Sequence, residues 1–328
     1  MRKLRTLFYG ITHEHAAGKL KTLRSLSETY EIVAVVDDRD SSAPYFVNVP
    51  ADVEGLRVIT EKEVAALKDI DVVFVETSNR RLMDVAEGFV KRGIPLHCDK
   101  PCGESFETYR RLVDACRARH LPFQIGYMYR GNPAVNWIWK FVGEGGIGTV
   151  RFIEADMNHN YQDVGYAEYI SSFQGGILYN LGCHLVDMVL PMVSGSFVSS
   201  EHSVCPAPGD PHWAKTAAIA WLRFVGTDVL LRTSSHMGAG NVARRLRVDG
   251  TEGTVDLCPI ERFDGKELRL TLSRAGVPQK EIVFEPQTDR YAGQLRQLAE
   301  VIGGQRPSDQ DYDRDLRTHE VTLKMCGM

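Results

Sequence analysis

Over the first 125 residues, short apolar runs alternate with amphipathic segments, and no other feature constrains the fold of this chain so strongly. Such runs read as strands buried on both faces, and a helix between successive strands requires them to lie parallel. Strands are expected at 4–9, 32–36, 72–76, 95–98 and 123–127, with helices at about 14–28, 81–92 and 106–119. This is the pattern of an α/β domain, a parallel sheet flanked by helices.

Beyond residue 127 the rhythm changes. Helices at 136–141 and 178–192 accompany alternating runs at 150–157, 217–224, 229–235 and 246–248, and the turn Asp249-Gly250-Thr251-Glu252-Gly253 suits sequential antiparallel strands. The second domain is therefore expected to be α+β, with a large, open, mainly antiparallel sheet. At 328 residues the chain exceeds what one core usually serves. We place one domain at 1–126 and a second at 127–328, whose last helices, at 291–302 and 311–324, are able to pack back on the first.

With 43% hydrophobic and 25% charged residues the composition is that of an ordinary globular protein. A net charge of -4 and the lack of a Lys/Arg run interleaved with aromatics argue against nucleic acid as a partner. No stretch approaches the roughly 18 apolar residues of a membrane helix, and the apolar run at the start is too short for a signal-peptide core. Seven scattered cysteines, odd in number and without CxxC pairing, fit reduced thiols, so a cytoplasmic location is expected.

In the stretch 175–189, Asn180, His184 and Asp187 fall at i, i+4 and i+7 on an otherwise apolar helix. Leaving one such group buried without a partner costs about 1–3 kcal/mol, so the stripe must meet protein groups or a polar substrate. Gly175 and Gly176 before it allow close approach of a ligand.

A dinucleotide site needs a glycine-rich turn after the first strand. Here the G-x-G-x-x-G positions are Gly10, Thr12 and His15, so one glycine of three remains. The Thr12 hydroxyl can cap the following helix, and His15 stands where it could face a phosphate. His13 and His15 form an H-x-H pair without a third metal ligand at nearby spacing, and no metal is expected. Asp37, with Asp38 behind it, supplies the acid for ribose hydroxyls, which favours NAD over NADP, although Arg39 is close. Cys98-Asp99-Lys100-Pro101 would bring Lys100 to the carboxyl edge of the sheet, where its amine could bond a substrate hydroxyl.

In this order the motifs resemble those of the Gfo/Idh/MocA oxidoreductases, and the likeness spans nearly the whole chain. Asp37 matches the family's acid after the second strand. Thr77-Ser78-Asn79 is similar to its Thr-Pro-Asn loop, Cys98-Asp99-Lys100-Pro101 to Glu-Lys-Pro, and Gly175 to Asp187 to Gly-Gly-x-x-x-Asp-x-Gly-x-His-x-x-Asp. Tyr127 to Pro133 is similar to the Arg-Phe-x-Pro segment, and Gly250 to Thr254 to a late turn. Three departures are the depleted glycine turn, Asn180 in place of aspartate, and Asp99 in place of glutamate. Asn180 can orient a substrate or His184 but holds neither proton nor charge.

The resemblance implies a doubly wound Rossmann dinucleotide-binding domain at 1–126 and a substrate-binding and oligomerisation domain at 127–328, together an NAD-dependent dehydrogenase that acts on a secondary alcohol, or the matching ketone, of a sugar, cyclitol or glycoside held between the domains. It implies His184 as acid/base, Lys100 as stabiliser of the reacting oxygen and Asn180 as orienting group. Gly10, Thr12, His13, His15, Asp37, Asp38, Thr77, Ser78, Asn79, Asp99 and Lys100 would serve the cofactor. Tyr127, Tyr129, Arg130, His159, Tyr161 and His236 join the catalytic residues as pocket candidates. Asp187 could hold His184 or face a partner on the helix surface. The same residues also allow glycoside elimination or hydrolysis through a transient ketone with retained NAD, and the missing glycines allow a non-catalytic sugar or dinucleotide sensor. The wide sheet predicts a homodimer or homotetramer.

Overall fold

A computed structural model describes residues 2–39, 52–161, 163–307 and 311–328. The chain divides into two compact units, Met1–Tyr127 with Tyr291–Arg317 and Met128–Arg290 with Thr318–Met328.

In the first unit β1 (Leu4–Tyr9), β2 (Tyr30–Val36), β3 (Val58–Ile59), β4 (Val72–Val75), β5 (Leu96–Cys98) and β6 (Phe123–Ile125) form one parallel sheet in the order β3-β2-β1-β4-β5-β6. The Val-Val-Phe-Val of β4 is wholly buried, as expected of a strand covered on both faces. Helix α1 (Ala16–Ser25) follows β1, and α2 (Leu82–Lys91) follows β4, burying Leu82, Met83, Ala86, Phe89 and Val90 along one stripe. Helix α3 (Phe106–Ala118) starts at Ser105, whose side chain accepts from the Thr108 amide. Strand order reverses direction between β1 and β4, and at such a switch point the carboxyl ends open a ligand crevice.

The second unit begins at α4 (Pro133–Gly143), capped by Asn132, which accepts from the amides of Ala134 and Val135. Next come β7 (Val150–Asn158), α5 (Val164–Ser171), α6 (Gly176–Asn180) and α7 (Gly182–Val189). Strands β8 (Phe197–Cys205), β9 (Ala217–Phe224), β10 (Thr227–Ser234), β11 (Arg245–Gly250), β12 (Thr254–Leu257), β13 (Leu268–Arg274) and β14 (Val277–Phe284) complete the unit's sheet. Its order is β14-β13-β12-β11-β7-β10-β9-β8, antiparallel except between β7 and β10. β9 alternates buried Ala218, Ala220 and Leu222 with exposed Ile219 and Trp221, so one face is packed and the other is open. Helices α8 (Ala292–Ile302) and α9 (Tyr312–Met325) end the chain. α8 lies in the first unit, where the Tyr30 hydroxyl donates to Leu295 O and the Gln294 amide to Ile125 O. Among the described residues no helix is long and apolar enough to cross a membrane.

Several expectations change. The stretch 178–192 is not one helix. A break at Leu181 separates α6 from α7, and Leu190–Met192 is a 3-10 turn. α1 starts at Ala16 rather than 14, because His13, Glu14 and His15 are engaged by side-chain contacts. Thr12 does not cap α1: its hydroxyl donates to Asp38, and the N-cap residue is His15. Strands β8 and β14 escape sequence reading because they are edge strands, largely exposed and without a clean apolar alternation.

Gly10 adopts φ +95°, and a Cβ there would come within 2.6 Å of Thr77 N. Both the left-handed backbone and the contact oppose a side chain. Gly10→Ala should therefore lower unfolding stability by about 2 kcal/mol or more in urea; a loss below about 0.5 kcal/mol would contradict this packing.

Candidate active site

At the carboxyl ends of β1, β4 and β5 the first unit buries a dense set of ionisable groups. Lys19, on the inward face of α1 with Ala16, Leu20 and Leu23, is wholly buried. Its ammonium donates to Glu76 Oε1 at 2.9 Å, Asp99 Oδ2 at 2.6 Å and His97 Nε2 at 2.6 Å. Since Nε2 of His97 accepts, its proton is on Nδ1, which donates to Gln124 Oε1 at 2.9 Å. Burial pushes His97 down to about 3, and the neighbouring ammonium adds to that shift. Burial also lifts Glu76 well above the usual carboxylate range, against the pull of Lys19. Asp99 moves the other way. Although burial would raise it, His13 and Lys19 hold it well below the usual range.

Of the two residues at the missing glycine positions, His15 belongs to the same set, together with its neighbour His13. His15 Nδ1 lies 3.0 Å from Asp99 Oδ2 and His13 Nδ1 lies 3.2 Å from it. His13 Nε2 is 3.1 Å from Lys100 O, to which Asn79 also donates at 3.1 Å. Burial takes His15 down to about 4. The Lys100 side chain is fully buried, and its amine donates to Glu14 Oε1 at 3.0 Å. Against burial, Lys100 and the two histidines hold Glu14 well below the ordinary range. The fold thus supplies the third potential ligand that the H-x-H spacing lacked, from 84 residues away.

The two acids at the end of β2 divide the work. Asp38 is buried and accepts from Ile11 N at 2.8 Å, Thr12 Oγ1 at 2.6 Å and Thr77 Oγ1 at 2.5 Å, so it braces the Gly10 turn against the loop after β4. Asp37 is partly exposed and pairs with Arg39 at 2.6 Å. The Arg39 guanidinium is thus tied to the acid beside it. Thr77, Ser78 and Asn79 are all buried, as is Tyr127 at the end of this unit.

In the second unit Asn180 and His184 are buried, and the His184 ring stands edge-on to Tyr129, with centroids 5.9 Å apart. Burial raises the Tyr129 phenol to about 12, so it stays protonated at neutral pH. Its oxygen accepts from Arg244 Nη1 at 3.1 Å. Arg244 is fully buried, donates to Asn158 O at 3.2 Å, pairs with Glu261 and lies 3.3 Å from His159 Nδ1. The His159 ring stacks on Tyr161 at 4.5 Å, and Tyr161 is 36% exposed, leaving aromatic surface for a ligand. His236 is fixed by Pro208 O and by Asp210, each at 3.0 Å.

Asp187 does not sit on a helix surface. It is 1% exposed and takes the Arg130 guanidinium at 2.6 Å, with Thr318 Oγ1 at 3.4 Å. Arg130, read as a pocket residue, therefore ties the start of this unit to α7. Lys19, Glu76, His97, Arg244 and Glu261 were not singled out from the sequence. Two of them carry a signal: Lys19 shares the helical stripe of Ala16 and Leu23, and Arg244 has the parity of buried Leu246 and Val248. Removing Arg130 would leave Asp187 as a buried, poorly compensated charge. Arg130→Ala should cost about 3 kcal/mol or more in urea denaturation, and a loss under about 1 kcal/mol would show the pair to be dispensable.

The family model described as "Oxidoreductase family, NAD-binding Rossmann fold" matches residues 9–127, and the model of the GFO/IDH/MocA C-terminal domain matches residues 136–256. The rhizopine catabolism protein MocA of Rhizobium meliloti is 24% identical over 164 residues, which is 50% of this chain and 49% of that protein. The chain thus spans about half the length of this curated relative. A UDP-N-acetylglucosamine 3-dehydrogenase from Acidithiobacillus ferrooxidans superposes with a TM-score of 0.77 at 19% identity, over 99% of this chain and 97% of that one. A 3-ketoreductase from Actinomadura kijaniata, solved with NADP, gives 0.77 at 17% identity, over 98% and 96%. Its two domain matches, in the order and position of the two folded units, make this chain a member of the Gfo/Idh/MocA oxidoreductase family, with an NAD(P)-binding Rossmann domain.

Proposed function

We propose that the protein is an NAD-dependent dehydrogenase of a secondary alcohol, or reductase of the matching ketone, on a sugar, cyclitol or glycoside. The observation that carries this reading is Lys100: a strand-end lysine is ordinarily solvated, whereas this one is fully buried at the carboxyl edge of a parallel sheet beside a carboxylate.

The residues at the first unit's strand ends fit a dinucleotide unevenly. Asp37 at the end of β2 suits the ribose hydroxyls, and the close approach of Gly10 to Thr77 keeps the turn compact. The side chains of His13, Glu14 and His15 replace the bare backbone that glycines would present. Asp37 at this position disfavours a 2′-phosphate, which is why we choose NAD over NADP. When bound, the nicotinamide supplies the hydride acceptor or donor. Lys100 Nζ donates a hydrogen bond to the reacting oxygen and stabilises negative charge there. His184 takes the hydroxyl proton through its imidazole in oxidation and returns it in reduction. Asn180 orients the substrate without exchanging a proton, and Tyr161 with His159 offers a stacking face for a sugar ring.

The outward face of β9, with Ile219 and Trp221 each more than 40% exposed, supports a homodimer or homotetramer. Light scattering should show Trp221→Glu shifting the protein toward monomer; a monomeric wild type would remove this part of the reading.

A screen of polyols, sugars and glycosides followed by NADH absorbance tests the function. We expect turnover that falls by about 10²–10⁴ in kcat in Lys100→Ala and His184→Ala. Product formation without net NADH would instead indicate a transient ketone on retained NAD. Undiminished turnover in both variants would reject the assigned roles.

A further inference from the structure

We propose that His13 Nδ1, His15 Nδ1 and Asp99 Oδ2 form a binding site for a divalent transition metal, zinc being the chemical type. The three ligand atoms lie within 4.8 Å of one another. Both imidazole nitrogens approach the same carboxylate oxygen, at 3.2 Å and 3.0 Å. A tetrahedral ion with bonds of about 2.0–2.2 Å places its ligand atoms about 3.3–3.6 Å apart, so the two imidazole–carboxylate distances need to open by only a few tenths of an ångström.

A ligating histidine commonly gives its other ring N–H to a carbonyl or carboxylate, and His13 is placed to do so, whereas the carboxylate nearest His15 Nε2 lies beyond hydrogen-bond distance. His13 Nε2 is 3.1 Å from the carbonyl of Lys100, and His15 Nε2 is 3.9 Å from Glu14 Oε1. A neutral His13 protonated at Nε2 would turn the lone pair of Nδ1 toward Asp99, as a metal would require. The backbone N–H of His15 points at that nitrogen from 3.2 Å, as it would at an acceptor.

Lys19 shares Asp99 Oδ2 at 2.6 Å, so the carboxylate would bridge an ammonium and the metal. A further negative charge is at hand in Glu76. Its Oε2 is buried 3.8 Å from His13 Nδ1, and among the described residues no hydrogen-bond donor reaches it. The Asp99, His13 and His15 set leaves one tetrahedral position for water or an anionic ligand, the arrangement of an open rather than a structural zinc site.

The test uses the full chain after EDTA treatment, dialysed against Zn²⁺ or Co²⁺ and analysed for bound metal. One equivalent per chain is expected, with visible ligand-field absorption for Co²⁺. Binding should be lost in His13→Ala and in His15→Ala, and unchanged in His202→Ala on the exposed β8. X-ray absorption of the zinc-loaded wild type, which does not depend on any variant folding, should show two imidazoles with oxygen completing the shell. Failure of the wild type to retain either metal would overturn the site, as would a thiolate-bound spectrum or equal retention in both histidine variants. Neither result bears on dinucleotide binding, which is measured separately.

Discussion

The contact on which the first unit's functional edge depends is the ammonium of Lys19 held by Glu76, Asp99 and His97. It joins α1 to the ends of β4 and β5 by one buried charge. An isolated ammonium there would cost several kcal/mol, so the carboxylates and imidazole around it are obligatory neighbours rather than added stabilisers. Because Asp99 also receives His13 and His15, the turn that replaces the usual glycines is fixed by the same charge. Lys100 follows Asp99 directly, and its backbone amide donates to Asp99 Oδ1 at 2.7 Å. The proposed catalytic amine is thus positioned by the buried network that holds Asp99.

In the second unit two arginines play comparable parts. Arg130 holds Asp187 on α7, which sets the helix that carries His184. Arg244 holds the Tyr129 hydroxyl and the end of β7, and is itself held by Glu261, which Arg290 also reaches at 3.0 Å. A guanidinium suits both places because its planar fork serves several acceptors at once. Rigid placement of this kind is what the role proposed for His184 requires if its ring is to stay in productive orientation.

Much of the architecture was legible in periodicity. The parallel sheet could be read because Val72–Val75 and its fellow strands are continuous apolar runs separated by helical stripes. The edge strands were not, since β14 is nearly all exposed and includes Pro278. Of the site, Lys100, His184 and Asn180 stood out by type and position, and all three proved buried. The charge network did not, because its members come from residues 19, 76, 97 and 99, and no local spacing signals a contact made by the fold. Asp38 shows the same limit: adjacent to Asp37 and chemically identical, it faces the Gly10 turn instead of solvent. The helical spacing of Asn180, His184 and Asp187 survived the break at Leu181 only in part. All three are buried, but Asp187 turns to Arg130.

The central claim is that the first unit binds a nicotinamide dinucleotide although side chains occupy two of three glycine positions in its turn. Calorimetric titration of NAD, NADH and NADP into folded protein, shown by absorbance and mass spectrometry to carry no nucleotide, tests it directly. The account predicts saturable binding of NAD or NADH, tighter than NADP, and weakened by Asp37→Ala. Absence of heat with every dinucleotide would contradict it, and would mean that the His13, Glu14 and His15 turn has exchanged the cofactor's phosphates for another ligand.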